Sequence, residues 1–229
     1  MKPSVTIIIP AWNEEALLPV TLSALYKPHV RRLWDELLVI DDGSGDRTYF
    51  QAQRFADRVI RHGRNLGKGA SLDNGWREAK GEILVFLDAD LGETAERVGE
   101  LIRPVRDDGY DMSIARLPSP RRKGGFGLVR GLAARGIYLL SGYRTHAPLS
   151  GQRALRREVL EKIGGLSRGF GVEVGLTIDA ARSGFAICEI AVGFRHRETG
   201  RDWSGFLHRG KQFVSVGRTL VHKWRHPVC

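Results

Sequence analysis

Sulfur is scarce in this sequence, and long apolar runs are missing. Of 229 residues only Cys188 and Cys229 are cysteines, which excludes a disulfide framework and any cysteine-based metal spacing. No stretch approaches the roughly 20 apolar residues that cross a bilayer. The opening MKPSVTIIIPAWNEE turns acidic after a short apolar run, so it reads as a first strand and not as a signal peptide. A cytoplasmic location is the simplest expectation. There is no internal repeat, no low-complexity segment and no helix-turn-helix or zinc spacing. Aromatics do not alternate with cations in a base-stacking pattern. These absences weigh against a nucleic-acid binder.

The residues present describe a globular chain with a strong charge bias. The hydrophobic fraction is 42%, ordinary for a folded domain, and the length suits one large α/β unit. Lys and Arg number 36 against 26 Asp and Glu, a formal charge of +10, which favours anionic partners. The excess is concentrated in PSPRRKGGFGLVRGLAARG and in the tail HRGKQFVSVGRTLVHKWRH.

Strands alternate with helices through the first half. SVTIIIPA, DELLVIDDGS, DRVIRH and EILVFLDAD read as strands, with helices over NEEALLPVTLSALY, DRTYFQAQRFA and ASLDNGWREAK between them. Such alternation predicts βαβ units, a mainly parallel sheet flanked by helices, and ligand binding beyond the carboxyl ends of the strands. Further on, LPSPRRKGGFG is a loop by composition. Helices are expected at LVRGLAARGIYLLS and VEVGLTIDAARSG, LSGQRALRREVLEKIGG reads as a strand or turn entering a helix that stops at Gly164-Gly165, and FAICEIAVGF reads as a strand. The tail repeats Phe213, Val216, Leu220 and Trp224 at helical spacing with Lys211, Arg218, Lys223 and Arg225 between them. This predicts a basic amphipathic helix that either packs across the domain or rests on a membrane.

Three strand ends carry the chemistry: Pro10–Glu14, Asp41–Ser44 and Asp88–Asp90. Residues i and i+2 of a strand share a face, so Asp88 and Asp90 would stand as paired like charges that call for a cation. Oxygen ligands favour a hard divalent ion, Mg²⁺ or Mn²⁺, whose shell is completed by phosphate oxygens. Asp41 and Asp42 precede a Gly/Ser turn where a carboxylate accepts from a nucleobase or ribose, while Ser44 or Asp46 caps the following helix.

In order, IIIPAWNEE, LLVIDDGSGDRT and NLGKGASLDNGWREAKGEILVFLDAD resemble the pattern of family 2 glycosyltransferases with the GT-A fold. Later, PLSGQRALRREVLEKI with GFGVEVGLTIDAARSGFAICEI is similar to the polyprenyl- or dolichyl-phosphate sugar synthases and the glucosyl-3-phosphoglycerate synthases. The resemblance implies one GT-A domain over residues 1–229: a nucleotide-binding half at about 1–91, an acceptor half at about 92–210 and the basic helix at 211–229. Pro10, Ala11, Asn13, Glu14, Asp41, Asp42, Gly43, Ser44 and Ala89 would line the nucleotide site, with Lys68 near the base or diphosphate. Asp88 and Asp90 would hold the metal, joined by His196, a residue otherwise ordinary at a surface. Where the phosphoglycerate enzymes carry Gly-Arg-Val-Thr, this chain reads GGFGLVRG, without the threonine.

The expected activity is metal-dependent transfer of a sugar from a nucleotide diphosphate, UDP-linked before GDP-linked, to an anionic, phosphate-bearing acceptor. A metal and Lys68 would offset charge on the leaving diphosphate. Arg121, Arg122, Lys123 and Arg195 would meet the acceptor, with the glycine-rich loop closing over it. A phosphate acceptor is already ionised near neutral pH. For a hydroxyl acceptor Glu173 is the candidate acid-base group, or else a helix-start carboxylate facing the dipole. Peripheral contact with the inner membrane face stays open for a polyprenyl-phosphate acceptor. The rival class is a non-catalytic binder of nucleic acid or membrane.

Overall fold

The computed structural model describes residues 2–118, 127–167, 171–195 and 203–226, with the backbone alone for 203–212. Seven strands form one sheet: β1 (Val5–Ala11), β2 (Glu36–Asp41), β3 (Arg58–Arg61), β4 (Ile83–Phe86), β5 (Met112–Arg116), β6 (Arg153–Arg156) and β7 (Ile187–Ala191). Their order is β3-β2-β1-β4-β6-β5-β7. All neighbouring pairs are parallel except those of β6, which runs against both β4 and β5. The mainly parallel sheet expected from the alternation is present.

Alternation along β1 divides the core. Ile7 and Ile9 join Leu37, Val39 and Val85 on one face, where helices α1 (Leu18–Leu25) and α5 (Val98–Arg106) supply Leu18, Leu22, Leu101, Ile102 and Val105. Ile8 joins Leu38, Ile40, Leu84 and Phe86 on the other, under Leu72 and Trp76 of α4 (Lys68–Glu78) and Val172 and Leu176 of α8 (Val172–Arg182). Strands buried on both faces read as continuous apolar runs, which is why IIIP and ILVF show no polar alternation.

Several boundaries differ from the expectations. α1 begins at Leu18, not Asn13, because Pro19 occupies its first turn and Asn13 is left-handed at φ 54°; Pro lacks an amide that the first turn does not need. The helix after the second strand, α3 (Thr48–Ala52), is one short turn and a half, and another short helix, α2 (Pro28–Arg31), follows α1. α5 and β5 were not read individually, although Val98, Leu101, Ile102 and Val105 give α5 a clear apolar face.

A third, smaller apolar cluster lies on the α8 side. Val174 and Ile178 of α8 meet Ala133 and Ile137 of α6 (Leu128–Ser141) and Val216 of α9 (Trp203–Arg225). The tail is helical as its spacing predicts, but the helix begins at Trp203 instead of 211 and ends at Arg225, and it packs on α6 and α8. Lys223, expected on its solvated basic face, is instead buried and paired with Asp179 of α8. Arg182 fastens the same corner, donating from Nε to the Leu140 carbonyl and from Nη1 to that of Lys223. The remaining helix, α7 (Arg157–Ile163), ends on Gly164 at φ 77°, the stop anticipated from Gly164-Gly165.

Candidate active site

Because β1, β2 and β4 are parallel, their carboxyl ends open on the same edge of the sheet. The loop after β1 is tied to the turn after β2. Asn13 N donates to Ser44 Oγ (3.0 Å), Gly45 N to Asn13 Oδ1 (2.9 Å) and Glu14 N to Thr48 Oγ1 (2.8 Å). Asp46 accepts from the Thr48 amide at 2.9 Å just ahead of α3, whose N-cap residue Arg47 makes no side-chain cap bond, while Ser44 holds the β1 loop.

Asp41 and Asp42 do different jobs. Asp41 is fully buried; its Oδ1 accepts from Ser44 N at 3.1 Å and Arg61 Nε lies 3.0 Å from its Oδ2. Asp42 accepts from the Leu66 and Gly67 amides, both at 2.8 Å, and pairs with His62 Nδ1 at 2.7 Å. Its carboxylate is taken up by the 62–67 loop, so Asp42 ties that loop to the end of β2. Gly43 sits at φ 70°, and a Cβ there would stand 2.5 Å from the Arg64 backbone carbon. Only glycine fits that crossing.

The third strand end departs most from expectation. β4 stops at Phe86, so Asp88 and Asp90 lie in a turn and not side by side on a strand face. Ala89 between them is buried, and its carbonyl accepts from Thr21 Oγ1 at 2.7 Å, which pins the turn to α1. The cation that Asp88 calls for is supplied by the chain. Lys68, at the head of α4, donates from Nζ to Asp88 Oδ1 at 2.6 Å and stands 3.1 Å from Glu173 Oε1. Gln152, fully buried just ahead of β6, donates from Nε2 to Asp88 Oδ2 at 2.6 Å. Gly151 makes room: a Cβ there would be 2.3 Å from Lys68 Nζ. Burial disfavours the Lys68 ammonium, but Asp88 and then Glu173 more than reverse this and hold its pKa above the ordinary range.

Beneath this cluster lies Arg153, fully buried, donating from Nε to the Ser150 carbonyl and from Nη1 to Thr177 Oγ1, each at 2.9 Å. Its Nη2 has no hydrogen-bond partner among the described residues. Burial pushes its pKa down to about 10, against the pull of Glu173, Glu189 and Tyr143. Neither Gln152 nor Arg153 was singled out from the sequence, although both stand inside PLSGQRALRR; nothing local marks them as neighbours of Asp88 or Thr177.

Among the described residues no three His, Cys, Asp or Glu side chains gather into a metal cage. Hard ions of the Mg²⁺ type take one or two carboxylates and fill the shell with substrate phosphates, so Asp88 and Asp90, both half-buried, would hold such an ion in place of the Lys68 contact at Asp88. His196, Arg121, Arg122 and Lys123 lie outside the described residues. Arg195, exposed, donates its amide to Thr94 Oγ1 at 3.0 Å.

The family model Glycosyl transferase family 2 matches residues 6–164. The chain belongs to glycosyl transferase family 2. This transferase is 33% identical to polyprenol monophosphomannose synthase of Mycolicibacterium smegmatis, over 85% of this chain and 78% of that one. It is 31% identical to glucosyl-3-phosphoglycerate synthase of Mycobacterium tuberculosis, over 90% and 70%. A crystal structure of the latter with Mn²⁺, UDP-glucose and phosphoglyceric acid superposes with a TM-score of 0.79 at 27% identity, covering 98% of this chain and 81% of that one. The two relatives are the subgroups to which the second-half motifs are similar, and the fold is the GT-A fold of these neighbours.

Proposed function

We propose that this transferase moves a sugar from a nucleotide diphosphate, UDP-linked, to a phosphate-bearing acceptor, with Mg²⁺ or Mn²⁺ as cofactor. The observation that carries the proposal is the Lys68 ammonium set between Asp88 and Glu173 at the edge where the ends of β1, β2 and β4 open. Glycosyl transfer from such a donor leaves a diphosphate, whose growing charge needs preorganised cations. Asp88 and Asp90 would hold the metal, which would supply Lewis-acid stabilisation of that diphosphate.

The remaining roles belong to the chain. Lys68 is held where it touches both carboxylates, so it adds fixed positive charge at the donor edge. Gln152 orients Asp88 through Nε2. The β1 loop and the Asp41–Ser44 turn, locked together by Asn13, Ser44 and Asp41, form a preorganised seat for base and ribose. Glu173 is occupied by Lys68, so its first role is electrostatic. Base catalysis by Glu173 is required only if a hydroxyl attacks, since a phosphate oxygen attacks already ionised. The names of the two relatives, one a polyprenol monophosphate enzyme and one a phosphoglycerate enzyme, both support an acceptor that bears phosphate.

Thermal unfolding with UDP and Mn²⁺ tests this reading. Ligand at 100 times its dissociation constant stabilises the native state by about 2.7 kcal/mol, and the rise is expected to vanish in Asp90→Ala. Absence of a shift with every nucleotide and metal tried, together with no transfer in a nucleotide-sugar screen, would sink it.

A further inference from the structure

The inward face of α9 is accounted for by Val216, Leu220 and the Lys223–Asp179 pair, but its outward face is not. Together with α6 it leaves Leu139 80%, Trp224 69% and Leu128 66% exposed, flanked by exposed Phe213 and Val221. Between the two helices runs a shallow groove of about 620 Å³, with Arg135 on its wall. Arg218 and Arg225 are exposed on α9 as well. The charge content is one-sided. Of the 229 residues 26 are Asp or Glu, yet neither helix contains one, while both carry arginine.

We propose that this outward face of α6 and α9 docks on an anionic lipid bilayer. Large exposed apolar patches mark interaction sites, and the chemistry of this one selects the partner. A groove of leucine, phenylalanine and tryptophan with Arg135 on its wall, and with the exposed Arg218 and Arg225 elsewhere on α9, describes a surface that sits at the headgroup boundary. Anionic headgroups supply the negative charge that neither helix carries. A second copy is a poor match: an isologous contact would set the same cations against one another with no carboxylate on either helix to pair them. No helix among the described residues is long and apolar enough to cross a membrane, so the contact is peripheral. α8 links this face to the site, since Val174 and Ile178 support α6 and α9 while Glu173 begins the same helix. The docking does not depend on which acceptor receives the sugar.

Co-sedimentation of the full chain with vesicles of phosphatidylcholine alone and of phosphatidylcholine mixed with phosphatidylglycerol tests it. Binding is expected to the mixed vesicles and to weaken as salt rises. Leu139→Ser with Trp224→Ser is expected to lower that binding about ten-fold or more. Replacing Arg135, Arg218 and Arg225 by glutamine is expected to lower it on the order of a hundred-fold. Both variants change exposed side chains, so thermal unfolding and its response to UDP with Mn²⁺ should match the parent. Failure of the parent to bind either vesicle overturns the proposal. So does unchanged binding in both variants, or a parent dimer in light scattering that the Leu139→Ser/Trp224→Ser pair dissociates.

Discussion

Replacing Lys68 by methionine keeps the length and apolar stem of the side chain and removes only the ammonium. In the parent, that ammonium contacts Asp88 and Glu173, whose side chains are 26% and 11% exposed. Hydrogen bonds to charged groups contribute about 1.5–3 kcal/mol each. Breaking a buried pair outright costs about 3–5 kcal/mol, because the partner charge is stranded. Here a quarter of the Lys68 side chain meets solvent, so water can relax part of the loss and the expected destabilisation is about 2–4 kcal/mol. For a domain of this size that is a fall in Tm of roughly 4–16 °C. The variant should also become more responsive to metal, since Mn²⁺ no longer competes with a resident cation at Asp88. The assay is differential scanning fluorimetry with Mn²⁺ titrated into both proteins. Recovery of the variant should begin at a lower Mn²⁺ concentration than any rise in the parent. Adding Glu173→Gln to Lys68→Met should restore part of the loss by removing one of the two stranded charges. A Lys68→Met protein that melts with the parent and answers Mn²⁺ identically would refute the electrostatic account of the site.

Two further outcomes follow from buried groups elsewhere. Lys223→Met strands Asp179, which is 2% exposed, and should cost about 3–5 kcal/mol in urea unfolding; Asp179→Leu on that background should recover most of it, because an apolar pair of similar volume replaces the ions. Tyr143 is held neutral up to a pKa of about 12, chiefly by burial and then by Glu189. Its unfolded counterpart ionises near pH 10, so the unfolded state binds fewer protons between those values and stability must fall as pH rises through that window. Urea midpoints at pH 9 and pH 11 should show a smaller decline in Tyr143→Phe, and an equal decline would remove Tyr143 from the cause.

Sequence alone determined the parts of this protein whose physics is local. Apolar runs such as Ile7–Ile9 and Ile83–Phe86 make buried strands, and the acids after them mark strand ends. The spacing of Phe213, Val216, Leu220 and Trp224 makes a helix for the same reason, and α6 runs over the residues its pattern gives. Tertiary structure decided direction and pairing. Nothing within Arg153–Arg156 records that β6 runs antiparallel between β4 and β5, because strand direction is set by where the chain re-enters the sheet. The ending of β4 at Phe86 turned the expected pair of like charges into a turn with a lysine at its side, and Lys68, Asp88, Gln152 and Glu173 come from four separate segments. The tail shows the division most clearly. Its periodicity set a helix with a greasy stripe, but only packing put Lys223 inside against Asp179 and left Trp224 outside, since a side chain's burial depends on what lies opposite it.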